Sequence, residues 1–135
     1  MSGFVPDCSV TMAWLFEDEA EPATDVLLDR AARGGAAVPS LWHYEVANVL
    51  IQAERRGRIP AGRVAGLLQL LRRLPIETHP APQEWVGVVE LAAGFRLSAY
   101  DAAYLHLAEH LALPLATRDR ALRQAAGARG VALLP

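Results

Sequence analysis

The chain has 135 residues, a length typical of one domain, and 53% of them are hydrophobic, which is enough for a sizeable core. Its formal net charge of −2 excludes a strong overall attraction to nucleic acid. With Cys8 as its one cysteine, the chain can form neither an intrachain disulfide nor a zinc site built from thiolates.

The sequence also predicts where the protein resides. The first residues lack the basic and apolar regions of a signal peptide, and a single cysteine suits a reducing compartment. The apolar segment 10–16 is far shorter than the roughly 20 residues that cross a bilayer. We therefore expect a cytoplasmic protein that makes no contact with membranes.

Short apolar segments typical of strands alternate with helical patterns along the chain. Strands are predicted at residues 4–6, 36–39, 76–79, 113–116 and 131–134. Helices are predicted at about residues 10–15, 22–33, 41–56, 60–74, 83–95, 99–111 and 118–126. This alternation favours a parallel sheet with helices on both faces, and we expect it to form one domain over residues 1–135.

An acid stands where the first strand is predicted to end. Asp7 directly follows the apolar segment 4–6, and Ser9 comes two residues later. Because ligands of open α/β sheets bind beyond the carboxyl ends of the strands, Asp7 is a candidate site residue. Asp and Ser are also favoured N-caps, so the alternative is that these residues only cap the next helix, as Ser40 is expected to cap the helix at 41–56.

A second acid, Glu45, lies one turn into the predicted helix 41–56, whose side chains are mostly apolar. A carboxylate in a buried segment is rare unless it is paired or binds a cation. Asn48 follows three residues later and shares the face of Glu45. This pattern favours a functional role for Glu45.

Two further acids have ordinary capping explanations as well as functional ones. Asp101 lies in a capping-box pattern that starts at Ser98, and its side chain could reach back to the Ser98 backbone. Asp119 follows the fourth predicted strand, and Thr117 is the expected N-cap of the next helix. The end of that strand is equally a position at which a parallel sheet binds ligands.

Together the four acids favour a metal site over four unrelated caps. Asp7, Glu45, Asp101 and Asp119 are all predicted at strand ends or helix starts along one edge of the sheet. Carboxylates held close together raise one another's pKa, and a hard divalent cation such as Mg²⁺ or Mn²⁺ removes that cost. Such a cluster is suited to the hydrolysis of phosphodiesters.

Three other sequence patterns allow either a purely structural or a functional interpretation. Two runs of arginine, at residues 55–63 and 118–129, are typical of solvated helix faces but could also contact phosphate. His106 and His110, at i and i+4, could bind zinc, although a solvated helix face is the more typical explanation. Aromatic residues near Trp14 and Trp42 predict either a protein-binding surface or ordinary core packing.

Four segments of the chain resemble the PIN-domain ribonucleases, specifically the VapC toxins of bacterial toxin–antitoxin pairs. The segments read VPDCSV at 5–10, YEVANVL at 44–50, LSAYDAAY at 97–104 and LATRD at 115–119. The resemblance implies a PIN-like three-layer α/β/α sandwich with a central parallel sheet of about five strands. It also implies that the metal-binding acids are Asp7, Glu45, Asp101 and Asp119, supported by Ser9, Asn48 and Thr117.

By the same resemblance, the expected activity is that of an Mg²⁺- or Mn²⁺-dependent endoribonuclease that cuts structured RNA such as tRNA or rRNA. The expected partners are a VapB-like antitoxin and a second copy of the chain. Contacts with the RNA backbone are expected from Arg118, Arg120, Arg55 and Arg56. Two alternatives remain open: an RNA-processing nuclease of this fold without a toxin role, and a catalytically weak protein-binding domain.

Overall fold

The structure, a computed structural model, describes residues 3–135. Its strands are β1 (Val5–Pro6), β2 (Ala36–Pro39), β3 (Ile76–His79), β4 (Leu115–Ala116) and β5 (Leu133–Leu134). The pairs β1–β4, β4–β5 and β2–β3 are all parallel. A 2.9 Å hydrogen bond from the Ala37 amide to the Phe4 carbonyl joins β2 to the start of β1. The strands therefore lie in the spatial order β3, β2, β1, β4, β5, as expected of a parallel α/β fold.

The helices connect these strands in the predicted alternation. They are α1 (Cys8–Leu15), α2 (Pro22–Gly34), α3 (Leu41–Arg55), α4 (Arg63–Arg72), α5 (Val86–Phe95), α6 (Ala99–Leu111) and α7 (Arg120–Ala128), with a short 3₁₀ turn at Glu17–Glu19 after α1. None of the helices in the described part of the chain is long and apolar enough to cross a membrane.

Side chains of the central strands point alternately to two separate apolar cores. Phe4 and Ala116 pack with Leu27 of α2 on one face of the sheet. Val5 and Leu115 pack with Leu105 of α6 on the other face, together with residues of α3, α4, α5 and α7. Since successive residues of a strand face opposite sides, helices cover both faces. This arrangement confirms the predicted three-layer α/β/α sandwich with five parallel strands.

Local sequence signals explain where α2 begins and ends. The Glu21 amide donates to the Thr24 hydroxyl at 2.9 Å, and Pro22 occupies the first helical position, where its missing N–H costs nothing. Gly35 follows the helix with a φ of +81°, a conformation that favours glycine. The chain then enters β2 directly, which places the end of that strand at the same sheet edge as the end of β1.

Several local predictions are wrong. Ser40 precedes α3 in a helical conformation and makes no side-chain cap, so this helix begins without one. The residue that caps α7 is Asp119, and Thr117 is not its N-cap. The strands predicted at 113–116 and 131–134 are shorter, at Leu115–Ala116 and Leu133–Leu134. Trp42 is only 4% exposed and donates to the Thr11 hydroxyl, which favours core packing over a binding surface for this residue.

Candidate active site

Asp7 is fixed at the carboxyl end of β1 by three hydrogen bonds to its side chain. Oδ1 accepts from the Val10 amide at 3.1 Å, which makes Asp7 the N-cap of α1, and from the Ser9 hydroxyl at 2.6 Å. Oδ2 accepts from the Thr117 hydroxyl at 2.5 Å. The side chain is 4% exposed, so its burial raises the pKa of this carboxyl above its usual value.

Thr117 connects Asp7 to the second acid at this edge. Its hydroxyl donates to Asp7 and accepts from the Asp119 amide at 3.0 Å. Asp119 Oδ2 accepts from the Leu122 amide at 2.8 Å and thereby caps α7. The capping interpretation is thus correct for both Asp7 and Asp119. It does not exclude a site, because both caps lie at the ends of adjacent parallel strands.

Glu45 reaches the same region from α3 and is half-buried. Its Oε1 accepts from the Tyr104 hydroxyl at 2.5 Å. Burial raises the pKa of Glu45, the hydrogen bond from Tyr104 lowers it, and the charges of Asp101 and Asp7 raise it. The net direction is upward, because the group is held near like charges and away from water.

Asp101 lies in the first turn of α6. Its backbone amide donates to the Ser98 hydroxyl at 3.0 Å, so Ser98 is the N-cap that the sequence predicts. Burial raises the pKa of Asp101, and the charges of Asp119 and Asp7 raise it further. A hydrogen bond with the Ser98 side chain lowers the pKa of the Asp101 carboxyl, but burial and the neighbouring acids outweigh it and the net direction is upward.

The four carboxylates act on one another, and we call Asp7, Glu45, Asp101 and Asp119 the acidic cluster. Burial is the largest cause of the raised pKa of the first three, and the charge of another cluster member contributes to each. Burial, and then the charges of Glu45, Asp7 and Glu19, raise the pKa of the neighbouring Cys8 thiol to about 12. A thiol held this firmly in its neutral form is a poor nucleophile.

The chemistry of this donor set fits a hard divalent cation. Oxygen ligands that repel one another in a partly buried site gain most from a bound positive charge. Within residues 3–135, no three acidic, histidine or cysteine side chains already stand in the arrangement of a metal site. Several carboxylate oxygens are instead turned toward protein donors, namely Ser9 and Thr117 for Asp7 and Tyr104 for Glu45.

The predicted supporting residues are placed unequally. Ser9 and Thr117 both donate directly to Asp7. Asn48 is exposed on α3, and among the hydrogen bonds of the described residues none joins it to Glu45. Sequence reasoning missed Tyr104, the donor to Glu45, although its position three residues after Asp101 on one helix was an available signal.

The predicted RNA-binding arginines also differ in position. The Arg118 amide donates to the Ser9 hydroxyl at 3.1 Å, while its guanidinium pairs with Glu19 at 3.1 Å and Glu21 at 3.2 Å. Arg120 is exposed at the start of α7. Arg55 and Arg56 are exposed at the far end of α3, about 15 Å beyond Glu45 along the helix axis.

The acidic segment that follows α1 explains why the basic runs do not form a uniformly positive face. Glu19 pairs with Arg58 at 2.7 Å as well as with Arg118, and Asp18 also pairs with Arg58 at 3.0 Å. Arg129 pairs with Glu109 elsewhere on the surface. Three of the eight arginines in the two runs, Arg58, Arg118 and Arg129, are therefore paired with acids.

Known proteins resemble this chain in sequence and in fold. Residues 4–128 match the family described as the PIN domain. The chain is 38% identical over 82 residues to the VapC ribonuclease Mb0985 of Mycobacterium bovis, covering 61% of this chain and 63% of that protein. It is 31% identical over 96 residues to ribonuclease VapC3 of Mycobacterium tuberculosis, covering 71% and 69% respectively. The chain thus spans less than two thirds of the length of the first of these relatives.

Two solved structures have a similar fold. PAE2754 from Pyrobaculum aerophilum matches with a TM-score of 0.71 and 25% identity, covering 91% of this chain and 84% of that one. FitAcB from Neisseria gonorrhoeae matches with a TM-score of 0.61 and 18% identity, covering 98% and 96%, which is a likeness of fold alone. These matches confirm the resemblance drawn from the sequence motifs, and the chain belongs to the PIN domain family.

Proposed function

We propose that this protein is a metal-dependent endoribonuclease of the VapC type, which hydrolyses phosphodiester bonds in RNA. The observation that carries the proposal is the acidic cluster, in which Asp7, Glu45 and Asp101 each have a raised pKa caused by burial and then by neighbouring carboxylates. The cluster would hold Mg²⁺ or Mn²⁺. When bound, such a cation supplies positive charge to the phosphate and lowers the pKa of the attacking water.

The chain's own residues prepare the site for that chemistry. Ser9 and Thr117 each donate to one oxygen of Asp7, so the carboxylate cannot rotate freely. Tyr104, which is almost completely buried, orients Glu45 in the same way from α6. Fixing ligands through surrounding hydrogen bonds raises the precision of a site and favours the ionised form of each acid.

Arg118 is the arginine best placed to hold the RNA backbone beside the cluster. Its amide contacts Ser9, which itself contacts Asp7, so its backbone is attached to the site. Its guanidinium could exchange Glu19 and Glu21 for a phosphate, because exposed ion pairs contribute little to stability. Arg120, and more distantly Arg55 and Arg56, would extend this path.

The proposed biological role is that of a toxin controlled by a partner protein. The relatives are named ribonucleases, which supports RNA as the substrate. A VapB-like antitoxin as the partner and structured RNA such as tRNA or rRNA as the target follow from the resemblance of the sequence motifs to VapC toxins. We also propose that the protein acts in the cytoplasm and forms a homodimer. Co-purification with the product of an adjacent short reading frame would test the partner.

Cleavage of RNA by the purified protein tests the activity. We expect cleavage in Mg²⁺ or Mn²⁺, none in EDTA, and a loss of about a hundredfold or more in Asp101→Asn. The matched control is Asp29→Asn, which removes an exposed acid paired with Arg33 and should retain full activity. Sequencing of RNA ends after brief induction would identify the target. Equal cleavage by Asp101→Asn and the wild type would refute the assignment.

A further inference from the structure

Arg123 connects the ends of two strands at the sheet edge that carries Asp7 and Asp119. Its Nη1 atom donates to the Thr117 carbonyl at 3.0 Å and to the Leu134 carbonyl at 3.3 Å. Thr117 directly follows β4, and Leu134 ends β5. Since Nη1 carries two hydrogens, one guanidinium nitrogen can donate to both carbonyls. We call this pair of hydrogen bonds the arginine clamp.

The arginine clamp lies where the backbone pairing of the two strands stops. Ala116 and Leu134 are the last paired residues of β4 and β5. Thr117 follows the paired segment and is only 3% exposed. A buried carbonyl without a partner is costly, and a hydrogen bond from a charged donor is stronger than one from a neutral donor. The clamp therefore fixes the main chain of Thr117 beyond the end of the ladder.

The helix that carries Arg123 gives no reason for a cation at this position. Arg123 is the fourth residue of α7. The free amides at the start of a helix carry a positive partial charge, which repels cations. The side chain is also half-buried, so a solvated helix face does not account for it. The two carbonyls do account for its placement.

Thr117 connects the arginine clamp to two members of the acidic cluster. Its hydroxyl donates to Asp7 Oδ2 at 2.5 Å and accepts from the Asp119 amide at 3.0 Å. Hydrogen bonds weaken steeply when their angle changes, so both depend on where the Thr117 backbone holds the hydroxyl. A shift of that backbone would therefore move the hydroxyl away from its partners at Asp7 and Asp119.

We propose that Arg123 is a positioning residue of the nuclease site, which holds Thr117 so that Asp7 and Asp119 are correctly placed for a divalent cation. The inference rests on the proposed function and adds to it a residue that acts through Thr117. Replacing residues that orient metal ligands typically changes metal affinity or activity by about 10- to 100-fold. Because Arg123 is one contact further away, we expect about tenfold. The competing role is direct contact with RNA phosphate, since Arg123 borders an open groove together with Arg118 and Asp119.

Two substitutions of Arg123 separate its hydrogen bonds from its packing. Arg123→Met keeps an apolar stem and removes the donors. Arg123→Lys keeps a cation whose three hydrogens can donate to carbonyl oxygens. The control is Arg129→Ala, which removes one positive charge from the same basic run at a residue paired with Glu109. All variants are made in the full chain.

The first test measures amide hydrogen exchange in EDTA, so it needs neither metal nor RNA. We expect the Asp119 amide, which donates to Thr117, to exchange about tenfold faster in Arg123→Met than in the wild type. Arg123→Lys should restore most of this protection, and the control should match the wild type. The Leu115 amide, which bonds to the Ala132 carbonyl, should stay protected. Equal loss at both amides would show that Arg123 only holds the strands together and would overturn the inference.

The second test follows metal binding and cleavage. Calorimetric binding of Mn²⁺ should be about tenfold weaker in Arg123→Met and close to the wild-type value in Arg123→Lys. At one subsaturating Mn²⁺ concentration, kcat of Arg123→Met should fall by a similar factor while KM for RNA changes little. A residue that bound RNA phosphate would instead affect KM and its dependence on salt, and would leave Mn²⁺ affinity unchanged. That result would overturn the inference in favour of RNA contact.

The outcomes also separate this inference from the proposed function. If the wild type cleaves RNA but Arg123→Met has unchanged exchange, Mn²⁺ affinity and kcat, Arg123 does not position the site and the nuclease assignment stands. If the wild type neither binds Mn²⁺ nor cleaves RNA, yet Arg123→Met loses protection at Asp119 and not at Leu115, the nuclease assignment fails. Positioning of Thr117 by Arg123 stands in that case.

Discussion

Replacing Asp7 by alanine is expected to destabilise the metal-free protein, whereas replacing it by asparagine is expected to leave the protein as stable or more stable. The carboxylate caps α1 through the Val10 amide and accepts from Ser9 and Thr117. It is also a buried negative charge close to other acids, and both effects raise its pKa. Comparing the two substitutions distinguishes the effect of these hydrogen bonds on stability from the effect of the buried charge.

Alanine removes both the hydrogen bonds and the charge of the Asp7 carboxylate. Loss of an N-cap costs about 0.5–2 kcal/mol, and each of the two hydroxyls that lose their acceptor costs on the order of 1 kcal/mol. Relief of the buried charge offsets part of this loss. We expect Asp7→Ala to be less stable than the wild type by about 1–3 kcal/mol, which corresponds to roughly 4 °C in Tm for each kcal/mol.

Asparagine keeps the hydrogen bonds and removes the charge. Its carbonyl oxygen can accept from Val10 and Ser9, and its amide can donate to Thr117, whose hydroxyl then turns. Each pKa unit by which folding raises the pKa of Asp7 lowers wild-type stability at neutral pH by about 1.4 kcal/mol. Asp7→Asn should therefore be at least as stable as the wild type at pH 7.

The pH dependence of stability tests independently whether the charge of Asp7 destabilises the folded protein. Folding raises the pKa of Asp7, so protonation of its carboxylate favours the folded state. This contribution to the free energy of unfolding is complete below the ordinary pKa of 3.8 and is lost as the pH rises through the pKa of the folded protein. The stability of Asp7→Asn relative to the wild type should thus increase between about pH 4 and neutral pH. Urea denaturation in EDTA across this range is the assay. If Asp7→Asn is as destabilised as Asp7→Ala at pH 7, the lost hydrogen bonds outweigh the relief of the buried charge and the reasoning is refuted.

Three further predictions concern other parts of the molecule. Tyr104→Phe removes the donor that lowers the pKa of Glu45, so the acidic limb of the pH–rate profile should move to higher pH; an unchanged limb would contradict this role. Gly35→Ala should destabilise by about 1 kcal/mol or more by urea denaturation, because its φ is +81° and the new Cβ would lie 3.0 Å from the Pro75 carbonyl oxygen; a neutral result would show that the turn relaxes. Mg²⁺ or Mn²⁺ at about 100 times its Kd should stabilise the wild type by about 2.7 kcal/mol, and an unchanged melting curve would argue against a metal site.

The alternation of strands and helices could be predicted from the sequence because the residues that begin and end each element are local signals. The bounds of β2, β3 and α6 agree with the prediction, since Gly35, Pro75 and Ser98 mark their starts. The strand order could not be predicted, because pairing such as that of β1 with β4 depends on packing between distant segments.

The errors at β4 and β5 have a common physical cause. The Leu113 amide bonds to the Ala108 carbonyl, and the Val131 amide bonds to the Ala126 carbonyl. Each bond closes the preceding helix after a residue with positive φ, Ala112 or Gly130. Apolar residues that the sequence suggests for a strand therefore belong to helix ends.

The candidate site was only partly accessible to sequence reasoning. All four acids could be selected from their positions after strands and in helix starts, but their mutual influence depends on the fold. The hydrogen bonds from Thr117 to Asp7 and from Tyr104 to Glu45 join residues 110 and 59 positions apart, so the sequence around each donor does not identify its acceptor.

The contact between Asp7 and Thr117 also has a consequence for the timing of protein synthesis. These residues are 110 positions apart, and β1 pairs with β4 only after the latter has been translated. At about 5–20 residues per second, the ribosome needs roughly 5–20 s to pass from one to the other. During that interval Asp7 can cap α1, but its second oxygen lacks the Thr117 hydroxyl and Asp119 is absent. A nascent chain on the ribosome would therefore carry an incomplete candidate site, and the proposed partner protein would have time to bind before that site is finished.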